Sequence, residues 1–328
     1  MKNRIVEIAE HPARLRVERC QLVIEQADHD AVRVPLDDLA VVIVANPQVS
    51  YSQHVLMELA ERGAAFITCN KARMPIGMLL PLDGNSVQTE RFRHQIELTR
   101  PRRKRLWQQV VRAKIHMQGL LLEDLLNDDN GLFALESEVR SGDPGNVEAR
   151  AARRYWPLLF GTEFRRDVTA GNRNRFLNYG YAIVRAAVAR AVCASGLHPS
   201  LGLHHHNKYN AWCLADDLME PFRPLVDRAV FKLVQTIDEW EPLSREARTA
   251  LLSVLQSHVI VGGEIRSLFD AATMASASLA NALTDGSVRL QLPTNVIEPN
   301  HRSGSDSPQP GDPTVTAEQV PGVRHAPK

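Results

Sequence analysis

The sequence lacks the features that mark membrane proteins and small secreted proteins. No run of about 18 apolar residues occurs in its 328 residues, and the charged N-terminal segment contains no apolar signal core. The four cysteines, Cys20, Cys69, Cys193 and Cys213, are far apart, and no CxxC pair exists. These absences argue against a transmembrane protein and against a disulfide scaffold, and they predict a reduced, cytoplasmic protein.

A strong overall charge and a phosphate-binding glycine loop are also missing. The formal net charge is +1, so any surface for nucleic acid must come from local segregation of charge. Without a glycine-rich phosphate loop, a nucleotide energy source is not expected. Hydrophobic residues make up 44% and charged residues 23%, which is ordinary for a globular protein long enough to form two domains.

The N-terminal part of the chain has the pattern of short strands. The runs RIVEIA, RLRVER and QLVIEQ are β-branched or alternating, and LAVVIVAN is a continuous apolar run typical of a strand buried on both faces. HVLMELAERG has helical spacing, with Gly63 at the position of a C-cap glycine. Residues 1–80 are therefore predicted to form a β-rich domain with one helix, suited to dimerisation or partner contact.

The rest of the chain changes character after the turn-rich segment PLDGNSV. A linker is predicted over residues 81–88 and a helical domain over 89–290, because apolar residues recur at three- and four-residue spacing. One long helix is expected just after Pro101, a second with Asn146 as N-cap, and a third closed by Gly196. The proline-rich segment 291–328 is predicted to be a disordered tail. The expected fold class is α+β, a small N-terminal β-sheet domain with one helix followed by a larger all-helical domain.

The segment LGLHHHNKYNAWCLADDLMEPFRPLVD concentrates histidines and carboxylates. On a helix, Asp216 and Asp217 lie four and three residues before Glu220, which places like charges on one face. A bound divalent cation would remove their repulsion, and such ions prefer oxygen ligands with some imidazole. Pro221 removes a backbone N–H, which predicts a kink or a helix end beside the cluster.

Two other interpretations of this segment stay open. Acidic residues beside Arg223 can form a solvated, salt-bridged face, and short motifs match by chance. The three histidines and Cys213 could instead hold zinc, although no ligand pair has the usual structural spacing. From spacing alone, the metal site is one possibility among these.

Glu148, in SEVRSGDPGNVEARAARRYW, is a second candidate. It lies in the first turn of a predicted helix among small residues, Ala149, Ala151 and Ala152, which permit close approach of a helix or a ligand. The helix dipole also favours a carboxylate there, so position alone favours a capping role.

Basic residues are concentrated in two segments, Arg91–Lys114 and Arg140–Arg185, and both are predicted to hold a DNA backbone. Lys and Arg neutralise phosphates and release counterions without reading bases, although such runs are often a solvated face. The candidates for DNA binding in these segments are Arg102, Arg103, Lys104, Arg150, Arg153 and Arg154.

With these pieces together, the chain resembles the CRISPR-associated integrase family, Cas1, the larger of the two universal adaptation proteins, and in particular its members from type II systems. The resemblance is carried by LWQQVVRAKI, SEVRSGDPGNVEARAARRYW, FGTEFRRD, NRFLNYGYAIVRAAVAR and LGLHHHNKYNAWCLADDLMEPFRPLVD. It covers approximately residues 4–290.

The resemblance implies a metal site of one Glu, one His and one further acidic residue, which here are Glu148, His205 and Glu220. It implies Mg²⁺ or Mn²⁺ as the cofactor. Asp217 is expected to be an auxiliary carboxylate, and Arg223 a partner of phosphate or of Glu220. The implied partners are double-stranded DNA (protospacer and CRISPR repeat), a second copy of the chain, a small ferredoxin-like subunit (Cas2) in a heterohexamer, and a Cas9-type effector.

The implied function is metal-dependent DNA integration in CRISPR adaptation. The 3′-OH ends of short foreign duplex DNA would be joined to the CRISPR repeat by transesterification. Two alternatives remain at this point, a structure-selective metal-dependent nuclease acting on branched DNA and a non-catalytic DNA-binding scaffold.

Overall fold

A computed structural model describes residues 3–27, 29–81, 84–238, 240, 242–284, 286 and 289–297, together with the backbone of Thr314–Thr316. The chain forms two compact units. Among the described residues, one comprises residues 3–81 with Thr314–Thr316, and the other comprises residues 84–297. Of the predicted linker 81–88, Leu82 and Asp83 lie outside the described residues, and Asn85 donates to the carbonyl oxygen of Ala194 (3.1 Å) in the second unit.

Two sheets and one helix make up the first unit. Its elements are β1 (Arg4–Ile8), β2 (Arg14–Glu18), β3 (Gln21–Glu25), β4 (Val32–Pro35), β5 (Leu39–Val44), β6 (Ser50–Tyr51), α1 (Gln53–Glu61), β7 (Ala65–Cys69) and β8 (Pro75–Leu79). One sheet has the order β1-β5-β7-β8, with the short strand Thr314–Thr316 beside β1; only its β7–β8 pairing is antiparallel. The other has the order β4-β3-β2-β6, and its β2–β6 pairing is parallel.

An apolar core draws on both sheets and α1. Val42, Leu22 and Leu59 are among its fully buried members. All six residues of β5 are buried, as its continuous apolar sequence indicates. Gly63 follows α1 with a φ of +68°, a backbone conformation that glycine adopts without a steric penalty. The helix therefore ends where the glycine indicates.

The second unit consists mainly of helices. They are α2 (Gln88–Glu97), α3 (Arg100–Leu126), α4 (Leu132–Glu138), α5 (Val147–Phe160), α6 (Asn174–Ala194), α7 (Cys213–Met219), α8 (Arg223–Leu233), α9 (Arg245–Ser253) and α10 (Leu268–Thr284). Pro101 stands in the first turn of α3. Gly196, with a φ of +65°, follows α6. The three helices expected over this part of the sequence are thus present.

α6 lies at the centre of this unit and packs against α7, α8, α9 and α10. Gly180 permits the close approach of α8, because a Cβ atom at this position would lie 2.4 Å from Val226 Cγ1. This packing fixes α7 and α8, the helices on either side of Glu220, against a buried helix.

The second unit also contains a sheet, so the expectation of an all-helical domain is wrong. Its strands are β9 (His258–Val261), β10 (Glu264–Ser267) and β11 (Asn295–Ile297), in the order β10-β9-β11 and antiparallel. Gly262 and Gly263 join β9 to β10 with positive φ angles of 60° and 84°. Two positive φ angles match the twist of a tight hairpin, and the β-branched run HVIV favours the strand.

The segment predicted to be a disordered tail, 291–328, contains two short strands among its described residues. β11 lies within 291–297 and pairs with β9, and Thr314–Thr316 pairs with β1. Residues 298–313 and 317–328 of that tail lie outside the described residues. Within the described part of the chain, no helix combines the length and apolar character needed to cross a membrane.

Candidate active site

Glu148 lies in the first turn of α5, and a side-chain cap fixes that turn. The Asp143 carboxylate accepts hydrogen bonds from the N–H groups of Val147 (2.9 Å) and Glu148 (3.0 Å). Asn146 occupies the predicted N-cap position, but its side chain makes no capping hydrogen bond to the described residues. The cap therefore comes from Asp143, and the Glu148 side chain remains 25% exposed.

Glu220 lies at the junction that Pro221 creates between two helices. α7 ends at Met219, a 3-10 turn spans Glu220–Phe222, and α8 begins at Arg223, in accord with the missing proline N–H. Glu220 is only 4% exposed. The Arg223 Nη2 atom lies 3.1 Å from Glu220 Oε1, which compensates one side of this buried charge.

Lys114, on α3, brings the two glutamates together. Its Nζ donates to Glu148 Oε1 at 2.6 Å and lies 2.6 Å from Glu220 Oε2. The second contact is an ion pair without hydrogen-bond alignment, and Glu220 Oε2 is a buried oxygen with no hydrogen-bond partner in the described structure. Side chains from α3, α5 and the turn after α7 thus meet at one ammonium group between two carboxylates.

Glu220 and Lys114 stay charged at neutral pH. Burial alone would raise the pKa of Glu220, but the charges of Arg223 and Lys114 lower it below its ordinary value. Burial likewise acts to lower the pKa of Lys114, and the nearby Glu220 and Glu148 raise it by more. The cluster is therefore an ionic site and not a set of neutralised buried groups.

Asp217 fixes the ring of His205. This carboxylate is fully buried and accepts hydrogen bonds from the N–H groups of Leu203 (2.6 Å), His204 (2.9 Å) and His205 (3.3 Å). It also lies 2.6 Å from His205 Nδ1. This hydrogen bond raises the pKa of His205 more than partial burial lowers it. With Nδ1–H held by Asp217, Nε2 is the ring nitrogen available to a ligand.

The other two histidines have different surroundings. The His204 ring stacks on Trp107, with centroids 4.4 Å apart and planes 7° apart, and His206 lines a separate cavity. The Cys213 thiol faces the carbonyl oxygen of Asn210 at 3.3 Å. These contacts give no support to a zinc site built from the three histidines and Cys213.

The three predicted metal ligands lie in the same part of the second unit, but their side chains do not converge on a single metal position. Among the described residues, no three His, Cys, Asp or Glu side chains converge on one metal position. Glu148 and Glu220 meet at Lys114, and the charge of Glu220 helps to raise the pKa of His205. The donor types fit a hard divalent cation, and Glu220 Oε2, which lies 2.6 Å from the Lys114 ammonium, is an oxygen that such an ion could bind.

A buried polar network packs against Arg223. Its guanidinium lies 4.7 Å from the centre of the Tyr181 ring. Tyr181 Oη donates to Asp227 Oδ1, and Tyr155 Oη donates to Asp227 Oδ2 at 2.8 Å. Asp227 is 1% exposed, and its burial raises its pKa to about 6. The sequence gives no signal for this network, because its members come from three different helices.

The six basic residues predicted to bind DNA differ in exposure. Arg102 and Arg103 are half-buried; Arg102 donates to a backbone carbonyl oxygen, and Arg103 Nε is buried without a hydrogen-bond partner in the described structure. The other four, Lys104, Arg150, Arg153 and Arg154, are exposed, and Arg154 also donates to the carbonyl oxygen of Asn130. Part of the basic residues expected to bind DNA therefore stabilises the fold.

A basic groove lies next to Glu148, between α3, α4 and the loop before α5. Its volume is about 820 Å³, and its lining contains four arginines and one acid, Arg105, Arg112, Arg140, Arg150 and Glu138. Arg150 pairs with Glu138 at 2.7 Å. The lining thus carries a net positive charge beside the acidic pair.

These features define a class, an α+β protein whose helical unit carries an acid–histidine cluster beside a basic groove. The model of the family described as "CRISPR associated protein Cas1" matches residues 6–240. The CRISPR-associated endonuclease Cas1 of Neisseria meningitidis serogroup C (strain 8013) is 36% identical over 289 residues, which are 87% of this chain and 94% of that protein. The chain belongs to the Cas1 family, and the family resemblance of its sequence is confirmed.

Solved structures show the same fold at low sequence identity. A casposase bound to its integration product matches with a TM-score of 0.73 and 18% identity, covering 88% of this chain and 92% of that chain. A Cas6-RT-Cas1–Cas2 complex matches with a TM-score of 0.68 and 19% identity, covering 89% of this chain and 36% of that chain. The α+β arrangement of N-terminal sheets and a helical region is common to such proteins.

Proposed function

We propose that this chain is a metal-dependent DNA integrase of CRISPR adaptation. It would join the 3′-OH ends of short foreign duplex DNA to the CRISPR repeat by exchanging one phosphodiester for another. The observation that carries the proposal is the meeting of Glu148 and Glu220 at one cation position beside His205. Family membership supports it, as does the fold shared with a casposase bound to an integration product.

In this proposal, Glu148, Glu220 and His205 Nε2 hold Mg²⁺ or Mn²⁺. When held by these residues, the ion would supply Lewis-acid chemistry, which would lower the pKa of the attacking hydroxyl and offset charge on the phosphorane-like transition state. Asp217 orients His205 by holding its Nδ1–H, and Arg223 keeps Glu220 ionised. The protein thus presents anionic oxygens and one imidazole nitrogen in a partly desolvated site.

The basic groove next to Glu148 supplies a surface for the DNA backbone. Its arginines would neutralise phosphates and position the duplex without reading bases. The exposed Lys104 and Arg153 are further candidates for phosphate contacts. Target choice would then depend on DNA shape and bending.

The proposed assembly is a homodimer, two copies of which are bridged by Cas2. The fold match to a Cas6-RT-Cas1–Cas2 complex supports this partner. A Cas9-type effector remains a proposed further partner. The cytoplasmic site of action is proposed on the same family grounds.

The test supplies full-length protein with Mn²⁺, a duplex with 3′-OH ends and a supercoiled repeat target. Covalent joining is expected for the native chain, and Glu148→Gln and Glu220→Gln should each lower joining at least about 100-fold while DNA binding persists. Glu246→Gln is the matched control, because Glu246 also lies in the first turn of a helix, α9. It should join DNA at the native rate.

The other outcomes separate the alternative functions. Metal-dependent nicking without joining would support the structure-selective nuclease. Unchanged activity in both glutamine variants would reject the site, and DNA binding without any strand chemistry would support the scaffold.

A further inference from the structure

Lys114 occupies the position between the two carboxylates that the proposed function gives to a metal ion. Its side chain is 13% exposed, and its Nζ lies 2.6 Å from an oxygen of each glutamate. An ammonium group is a compact point charge on a flexible four-carbon stem. It can therefore stand between two carboxylates much as a small cation does.

The local charges balance only while Lys114 stays in place. Glu148 and Glu220 carry two negative charges, and Lys114 and Arg223 carry two positive ones. Without a cation between them, the glutamates would repel in a partly desolvated site, where charges interact more strongly than in water. Entry of a divalent ion adds two further positive charges, so one of the two basic side chains has to move.

Arg223 is held by a contact that does not involve the two glutamates. Its guanidinium packs over the Tyr181 ring and pairs with Glu220 Oε1. Lys114 contacts the other oxygen, Oε2, with poor hydrogen-bond alignment. A divalent ion bound to Oε2 and to Glu148 Oε1 at about 2.1 Å would come into direct contact with an ammonium nitrogen 2.6 Å from both oxygens.

We infer that Lys114 is an internal substitute for the metal ion, and that ammonium and divalent cation compete for Glu148 and Glu220. The inference rests on the proposed metal site. In the metal-free protein Lys114 holds the two glutamates side by side, and it leaves their shared position when the cation enters. Lys114 is thus a positioning residue that sets the metal affinity of the site.

Isothermal titration of the full chain with Mn²⁺, without DNA, tests the competition. Lys114→Met keeps the length of the side chain and removes its charge, so the apparent Kd for Mn²⁺ should fall roughly tenfold or more. Lys232→Met is the matched control, since Lys232 is an exposed lysine on another helix of the same unit, α8, and its Kd should equal that of the native chain. An unchanged or higher Kd in Lys114→Met would overturn the inference.

Two further variants keep the result interpretable. If Lys114→Met does not fold, Lys114→Arg replaces it in the titration. Arginine retains the charge and binds carboxylates through a planar, bidentate guanidinium group. It should bind Mn²⁺ more weakly than the native chain, and equal or tighter binding would contradict competition. Glu220→Gln should lose Mn²⁺ binding. If it does not, the proposed metal site itself fails, which is a different outcome from a failure of Lys114.

Discussion

Asp217 directs all of its observed hydrogen bonds to the loop that carries His205. Replacing it with Asn removes the charge while keeping the shape, so the pKa of His205 should fall from its raised value toward the ordinary one. A histidine-selective NMR titration of the Asp217→Asn protein measures this change. Proposed metal binding should also weaken about 10- to 100-fold, the usual effect of losing a partner behind a ligand.

Asp216→Asn is the control for this prediction. Asp216 is also buried and adjacent in sequence, but it pairs with Arg185 (2.7 Å) and Asn210 (2.6 Å). The pKa of His205 should change much less in this variant. Equal shifts in the two variants would show that general loss of negative charge, and not the hydrogen bond, controls His205.

At the residue scale, the sequence indicated which glutamates to consider but not the lysine between them. Lys114 was part of a basic run predicted to face DNA. Its position belongs instead to the buried stripe of α3, since it continues the four- and three-residue spacing of Trp107, Val111, Gln118 and Leu121. A lysine at a buried position requires a nearby anion. The spacing of Lys114 on α3 was therefore the feature of the sequence that could have predicted its ion pairs.

The first turn of α5 depends on a cap from outside the helix. Asp143→Ala removes two capping hydrogen bonds and places alanine at a φ of +47°. The free energy of unfolding should fall by about 2 kcal/mol, from loss of the cap and from the left-handed backbone. Urea denaturation measures this. Asp143→Asn, which tolerates the same backbone and keeps one acceptor oxygen, should lose clearly less, and equal losses would argue against a role of the cap.

At the element scale, hydrophobic periodicity and helix-boundary residues predicted the long helices. The strands of the second unit depend on tertiary packing. Pro101, Gly196 and Pro221 mark helix boundaries because each changes the backbone itself. The hairpin of β9 and β10 was not predicted, since a three-residue apolar run does not distinguish strand from helix until its partner strand is known. β11 acquires its structure from pairing with β9.

For the molecule as a whole, the buried Asp227 gives stability a distinct pH dependence. Its pKa is raised from 3.8 to about 6 in the folded protein, so the folded state binds a proton more readily than the unfolded state. The contribution of this group is present below about pH 4 and is lost as pH rises through about 6, a change of about 3 kcal/mol. Asp227→Asn should therefore gain stability relative to the native chain by about that amount between pH 4 and pH 7.

Chemical denaturation at a series of pH values provides the measurement. Asp128→Asn, at an exposed position, should follow the native profile throughout. A constant difference between Asp227→Asn and the native chain across this range would mean that Asp227 ionises alike in the folded and unfolded states. Nothing in the sequence pattern indicated this effect, which arises from enclosure by two tyrosines.

The stacking of His204 on Trp107 gives the molecule an intrinsic optical reporter. Seven residues, about two helical turns, separate Trp107 from Lys114 on α3, while His204 precedes His205 in the loop held by Asp217. Indole emission responds to contact with an imidazole ring. Rearrangement of the loop during ion or DNA uptake should therefore alter the emission of Trp107, one of the four tryptophans of the chain, and a Trp107→Phe variant should lose that response.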